Sequence, residues 1–108
     1  PLHTRWEVIR KFTNLRACSV APLCNEDAIG EAMGGGYIYS RKPNPTLVST
    51  ERFDEAAIRQ DIDKTLAVAK RYGCLPEFIM KDVHTLNNQP QRLARWVELA
   101  REQIGKNW

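Results

Sequence analysis

The sequence lacks the features that would assign it to a membrane, a secretory route or a disulfide framework. Its longest uncharged stretch contains GGGYIYS, residues 34–40, and is too short and too polar to span a bilayer. No basic start followed by an apolar core marks a signal peptide. The three cysteines are an odd number without a C-x-x-C pair, which suits a reducing compartment. We therefore expect a cytoplasmic protein without a membrane partner.

Recognisable cofactor and catalytic motifs are also missing. His3, Cys24, Cys74 and His84 are scattered without the paired spacing of metal ligands, so no metal is predicted. The glycine run 34–36 precedes a predicted strand instead of following one, and therefore fails the context of a phosphate-binding loop. No nucleophile elbow surrounds any serine. The sequence thus identifies no cofactor.

Length and composition are those of an ordinary globular protein. The 108 residues, 43% of them hydrophobic and 27% charged, predict one domain over residues 1–108 with a single core. The formal net charge is +3, but the cations alternate with Glu and Asp along the chain, as on a solvated helix face. No aromatic and basic signature of a binding module accompanies them, which argues against a nucleic-acid partner.

Four segments have the spacing of amphipathic helices, and each carries recognisable end signals. They are residues 3–13, 25–34, 54–73 and 90–105. The first has a capping box at Thr4 and Glu7, and the second has Asn25 as its N-cap. The third has Asp54 as its N-cap, a hydrophobic staple of Phe53 with Ile58 and a terminal Gly73, and the fourth has Pro90 in its first turn and Gly105 at its end. The last segment places Trp96 on an apolar stripe, which predicts a core position for this side chain.

Three short apolar runs, 17–21, 37–40 and 77–80, lie between the helices and have the length of strands. Strands that alternate with helices predict parallel pairing with right-handed crossovers. The expected fold is α/β, in the order αβαβαβα, with a small three-stranded parallel sheet in a three-layer domain like a fragment of a barrel. Because both sheet edges would expose unpaired backbone groups, we expect a two-fold dimer or a higher homo-oligomer.

The loops that follow the strands are longer than those that precede them, and ligand sites of parallel α/β folds lie at this end. In SRKPNP, Pro43 and Pro45 stiffen the chain and hold Arg41, Lys42 and Asn44 in limited positions. A stiff loop with two cations can bind a carboxylate or phosphate at little ordering cost. The alternative is a plain turn whose lysine faces water.

The loop MKDVHT follows the third predicted strand and presents Lys81, Asp82, His84 and Thr85. An Asp near a His can orient the ring for acid–base catalysis, so Asp82 and His84 are the candidate catalytic pair. Lys81 would stabilise an anion and Thr85 would contact the ligand. The segment SVAPLCN adds Ser19 and Cys24 to the same end of the sheet. The alternative is that Asp82 and Thr85 cap the turn while His84 is a surface residue.

The segments CSVAPLCN, YIYSRKPNP and IMKDVHTLNNQPQRLARWVELAREQI resemble the carboxyl-terminal third of uroporphyrinogen-decarboxylase-like proteins of the uncharacterised branch. The resemblance implies a piece of a (β/α)₈ barrel with its active site at the strand carboxyl ends. It also implies tetrapyrrole decarboxylation or corrinoid-dependent methyl transfer. At Leu23 and Arg41 the family carries tryptophan. The positions that match its pattern are Lys42, Pro43, Asn44, Lys81, Asp82, His84 and Thr85.

Three functional hypotheses follow from these patterns. A complete barrel needs about 200 residues or more, so three strands argue against catalysis by this chain alone. The first hypothesis is an oligomeric module that binds an anionic small molecule at the strand carboxyl ends. The second is a fragment of a lyase or methyltransferase that is active when another chain completes it. The third is a structural domain that makes protein–protein contacts.

Overall fold

Three parallel strands form the sheet, and their carboxyl ends lie at one edge. The computed structural model describes residues 2–108. The strands are β1 (Ala17–Val20), β2 (Ile38–Arg41) and β3 (Leu75–Phe78), in the spatial order β1–β2–β3. The register aligns Val20 with Arg41 and Arg41 with Phe78. The loops that follow the strands therefore begin side by side, as the sequence predicted.

Helices connect the strands in the predicted alternating order. They are α1 (Trp6–Ile9), α2 (Glu26–Met33), α3 (Thr46–Ser49), α4 (Glu55–Tyr72) and α5 (Gln91–Asn107), with short 3₁₀ turns at Leu2–Thr4 and Gly34–Gly36. The α/β class and the three-stranded parallel sheet are confirmed, and the arrangement is consistent with three layers. In the part of the chain that the structure describes, no helix combines the length and the hydropathy needed to cross a bilayer.

Local end signals position the two helices next to the sheet. The side chain of Asn25 accepts a hydrogen bond from the Ala28 amide at 3.1 Å and begins α2. Asp54 accepts one from the Ala57 amide at 3.1 Å and begins α4. Gly73 ends α4 with a φ of 71°, a left-handed conformation that glycine adopts without steric cost. These three predictions are confirmed.

Several predicted boundaries are wrong. The first helix is one turn long and its N-cap is Arg5 instead of Thr4, and Glu7 pairs with Arg10 at 3.0 Å. Helix α5 continues past Gly105 to Asn107, and Pro90 is its N-cap instead of part of its first turn.

Two further elements differ from the prediction for identifiable reasons. Strand β3 begins at Leu75, two residues early, and includes Pro76 because an edge strand tolerates the missing amide hydrogen. The short helix α3 was not predicted, and the side chain of Asn44 accepts a hydrogen bond from the Thr46 amide at its start. A four-residue helix leaves too little periodicity in the sequence to be recognised.

The core forms two clusters, both supplied by α4. One lies on the sheet face that carries Val20 and Tyr39, against α2 and α4. The other lies between α4 and α5 and includes Trp96, which confirms the predicted core position of that side chain. Helices α2 and α4 thus pack on the Tyr39 face of the sheet, and α5 packs against α4.

The opposite face of the sheet is open. Strand residues alternate between the two faces, so Ser19, Ser40 and Glu77 share one row across the three strands. On this face Ser19 and Glu77 are exposed and Leu75 is 58% exposed, whereas Ser40 on the central strand is buried. We call it the open face.

Gly30 marks the closest approach of α2 to α4. A Cβ atom at Gly30 would lie 2.7 Å from Cγ1 of Val68 and 3.0 Å from Cδ2 of Tyr72. Real Cβ atoms do not approach other heavy atoms at the first of these distances. The glycine that weakens α2 as an isolated helix is therefore what lets it pack against α4.

We expect Gly30→Ala to lower the free energy of unfolding by about 1–3 kcal/mol, because the added methyl group overpacks the α2–α4 contact. Urea denaturation of the purified protein measures this change. Gly105→Ala is the matched control, since a Cβ at Gly105 meets open space and alanine favours a helix by about 1 kcal/mol. Equal destabilisation by both substitutions would contradict the packing argument.

Candidate functional site

Arg41 ends β2 and points to the helix side of the sheet, where its side chain is only 4% exposed. Its Nε donates a hydrogen bond to Oε1 of Glu26 at 3.0 Å, and its Nη2 donates to Oδ1 of Asp61 at 3.1 Å. Its Nη1 donates to the backbone carbonyl of Lys42 at 2.5 Å. The guanidinium therefore joins β2 to α2 and α4. Direct contact of Arg41 with a ligand stays a prediction.

Glu26 is the centre of this buried ion cluster, which comprises Glu26, Tyr39, Arg41, Asp61 and Thr65. Its Oε1 also accepts hydrogen bonds from the Tyr39 hydroxyl at 3.1 Å and the Thr65 hydroxyl at 2.6 Å. Within residues 2–108, Oε2 of Glu26 and Oδ2 of Asp61 are buried without a hydrogen-bond partner.

Burial raises the pKa of two members of this cluster. It raises the pKa of Asp61, against the opposing charge of Arg41. It also raises the pKa of Tyr39, and the neighbouring Glu26 carboxylate adds to that increase. The Tyr39 hydroxyl therefore stays protonated and continues to donate its hydrogen bond to Glu26.

We expect Arg41→Met to destabilise the fold by about 3–5 kcal/mol, because it leaves the Glu26 carboxylate buried without a cation. The comparison is Arg71→Met, which removes the exposed ion pair of Arg71 with Asp27 at 3.1 Å. That pair is solvated and screened, so its loss should change stability much less. Thermal and urea unfolding measure both effects. Similar losses of stability in the two variants would show that the buried ion pairs of Arg41 stabilise the fold no more than an exposed pair does.

Ser40, Lys42 and Glu77 meet on the open face and form what we call the open-face triad. The Ser40 hydroxyl donates a hydrogen bond to Oε1 of Glu77 at 2.6 Å. Nζ of Lys42 donates to Oγ of Ser40 and, at 3.3 Å, to its backbone carbonyl. Ser40 and Lys42 share this face because they are two residues apart along an extended chain. Glu77 reaches them from β3, whose register places it opposite Ser40.

Sequence reasoning identified Lys42 but missed its two partners. Ser40 is a small residue at the end of the second predicted strand, and Glu77 is the first residue of the third predicted strand. Each is unremarkable alone, and they become neighbours through a pairing between positions 37 residues apart. The register of the sheet is the signal that would have revealed them.

The other predicted site residues lie on the loops beyond the strands and are exposed. Nζ of Lys81 lies 3.5 Å from Oδ2 of Asp82. The Thr85 hydroxyl accepts a hydrogen bond from the Asn87 amide at 3.1 Å, and thus shapes the turn. The side chain of Asn44 does the same for α3. The catalytic roles of Asp82 and His84, and the ligand-binding roles of Asn44, Lys81 and Thr85, stay predictions.

His84 lines a shallow groove of about 390 Å³ between the third strand loop and the start of α5. Val83, Leu86 and Leu93 supply its apolar walls, and Asn88 and Gln89 add polar groups. Among the described residues, no group of three or more His, Cys, Asp or Glu side chains is arranged to hold a metal ion.

Comparison with known proteins adds no assignment to this geometry. No family model matches the chain, and searches of curated proteins and of solved structures found no match. The resemblance to uroporphyrinogen-decarboxylase-like proteins stays a prediction. The open-face triad and the loops around it therefore carry the functional argument.

Proposed function

We propose that the protein binds a small anionic molecule at the carboxyl end of the open face, with Lys42 as the main contact. The observation that carries this proposal is the environment of the Lys42 ammonium group, which is half-buried and contacts neutral oxygens of Ser40. Within residues 2–108 no carboxylate forms an ion pair with it. An incoming carboxylate or phosphate would supply the missing counter-charge through charge-assisted hydrogen bonds.

The position of Lys42 indicates where the anion lies. Glu77 shares a row with Ser40, whereas Lys42 lies two residues further towards the carboxyl edge of the sheet. The Lys42 side chain folds back so that Nζ contacts Ser40 next to Glu77, and an anion that approaches from the carboxyl edge would draw the flexible ammonium group away from that carboxylate. Pro43 is buried and Pro45 fixes the next turn, so the loop loses little conformational freedom on binding. Asn44 and Lys81 are the further contacts that the sequence predicted.

We expect Lys42→Met to weaken anion binding by about tenfold or more, since a hydrogen bond to a charged group contributes about 1.5–3 kcal/mol. Titration calorimetry with inorganic phosphate, citrate and a polycarboxylate tetrapyrrole measures the affinity and ranks the ligand classes. Lys11→Met removes the same charge from an exposed position outside the loops that follow the strands, and should leave binding unchanged. Failure of all three ligands to bind the original protein would reject the proposal.

The proposal includes a two-fold dimer in the cytoplasm as the working form. Strands β1 and β3 are edge strands with one unpaired side each. Along the edge strand β3, Leu75 and Ile79 are 58% and 43% exposed, which leaves apolar surface at the sheet edge that a second copy would cover while the central strand stays accessible. The free thiols of Cys18, Cys24 and Cys74 suit a reducing compartment.

We expect light scattering at micromolar concentration to give twice the mass of one chain. Ile79→Lys should shift the protein towards the monomer, because it places a charge in the proposed apolar contact. Val97→Lys, at a similarly exposed position on α5, should leave the mass unchanged. A monomeric mass for the original protein would contradict the dimer without affecting the anion site.

A further inference from the structure

The open-face triad has the arrangement of an activated nucleophile. A serine hydroxyl is a weak nucleophile unless a neighbouring base takes its proton. Oε1 of Glu77 lies 2.6 Å from Oγ of Ser40 and already accepts its proton in a hydrogen bond. Nζ of Lys42 donates to the same Oγ, so its positive charge lies beside the attacking atom and near the place where the carbonyl oxygen of a bound ester would become the oxyanion.

We propose that Ser40 is a nucleophile for acyl transfer from esters that carry an anionic group. Glu77 takes the serine proton and Lys42 stabilises the oxyanion. The proposal rests on the proposed function for its substrate class, since the same lysine would bind the anionic group. The reaction itself depends on Ser40 and Glu77, which the binding proposal does not require.

The reaction balances with the groups present and water. Oγ of Ser40 attacks the acyl carbon, and its proton passes to the Glu77 carboxylate. The bond from the acyl carbon to the leaving oxygen then breaks, and Glu77 returns the proton to that oxygen. Water next attacks the acyl-serine with Glu77 again as the base, which releases a carboxylic acid and restores the Ser40 hydroxyl.

The open face gives an ester its route to Ser40. Helices α2 and α4 pack on the opposite face, and Ser19 and Glu77, on either side of Ser40, are exposed. Ser40 itself is 5% exposed because it lies on the central strand and contacts the lysine side chain. The aliphatic part of the Lys42 side chain is flexible, so an approaching acyl group can displace the lysine side chain and reach Oγ of Ser40. The displaced ammonium group can then move to the carbonyl oxygen on which negative charge develops.

The test uses two chromogenic esters, p-nitrophenyl acetate and its carboxylate-bearing analogue mono-p-nitrophenyl succinate. We expect a burst of nitrophenolate and an acyl group on Ser40 by peptide mass spectrometry, with faster acylation by the succinate ester. Ser40→Ala should abolish the burst, whereas Thr13→Ala, which removes an exposed hydroxyl outside the open face, should retain it. Glu77→Gln keeps the shape of the side chain but cannot accept the proton, so acylation should slow by about 10²-fold or more.

The outcomes separate this proposal from the binding proposal. Acylation of a lysine instead of Ser40, or equal rates in Ser40→Ala and the original protein, would overturn it. Phosphate titration of Ser40→Ala then shows whether the anion site stands alone. Conversely, if Ser40 is acylated but the protein binds neither phosphate nor citrate, the proposal that Ser40 is a nucleophile stands and the proposal of an anion site is rejected. If Ser40→Ala does not fold, Glu77→Gln decides the question, and an unchanged rate in that variant overturns the proposal.

Discussion

The structure depends on the burial of one guanidinium group at the end of the central strand. Arg41 joins Glu26 of α2 and Asp61 of α4, and a buried charge of this kind is stable only with such partners. Because Arg41 must face the helices, the two-residue period of the strand directs Ser40 and Lys42 to the open face. The buried ion cluster and the open-face triad are therefore two consequences of the same constraint.

A second buried arginine fixes the loop that follows β2. Arg92 of α5 donates hydrogen bonds from Nη1 to the carbonyl of Val48 at 3.1 Å and from Nη2 to that of Glu51 at 2.9 Å. These carbonyls belong to the end of α3 and the turn after it, where cationic donors satisfy unpaired acceptors. Arg92 thus holds the loop that begins with Lys42 against the distant helix α5, and adds to the stiffness that Pro43 and Pro45 supply.

Features set by neighbouring residues were predictable, and those set by distant ones were not. Asn25 and Asp54 cap helices through bonds three residues along the chain, so the sequence shows them directly. From the sequence alone, Arg41 is predicted to be a cation of the loop. Its burial depends on Glu26 and Asp61, which lie on two separate helices, and the local sequence around Arg41 does not show this. The contact of Ser40 with Glu77 likewise depends on strand register, which alternating helices and strands do not specify.

The two faces of the sheet differ in the charged groups that they carry. On the helix side, the carboxylates of Glu26 and Asp61 share the single guanidinium of Arg41, so full ionisation would leave excess negative charge there. The raised pKa of Asp61 is the response to that burial. On the open side, the ammonium group of Lys42 rests on neutral oxygens. The open side therefore sets one cation beside one carboxylate, with the Ser40 hydroxyl between them, whereas the helix side sets two carboxylates against one guanidinium.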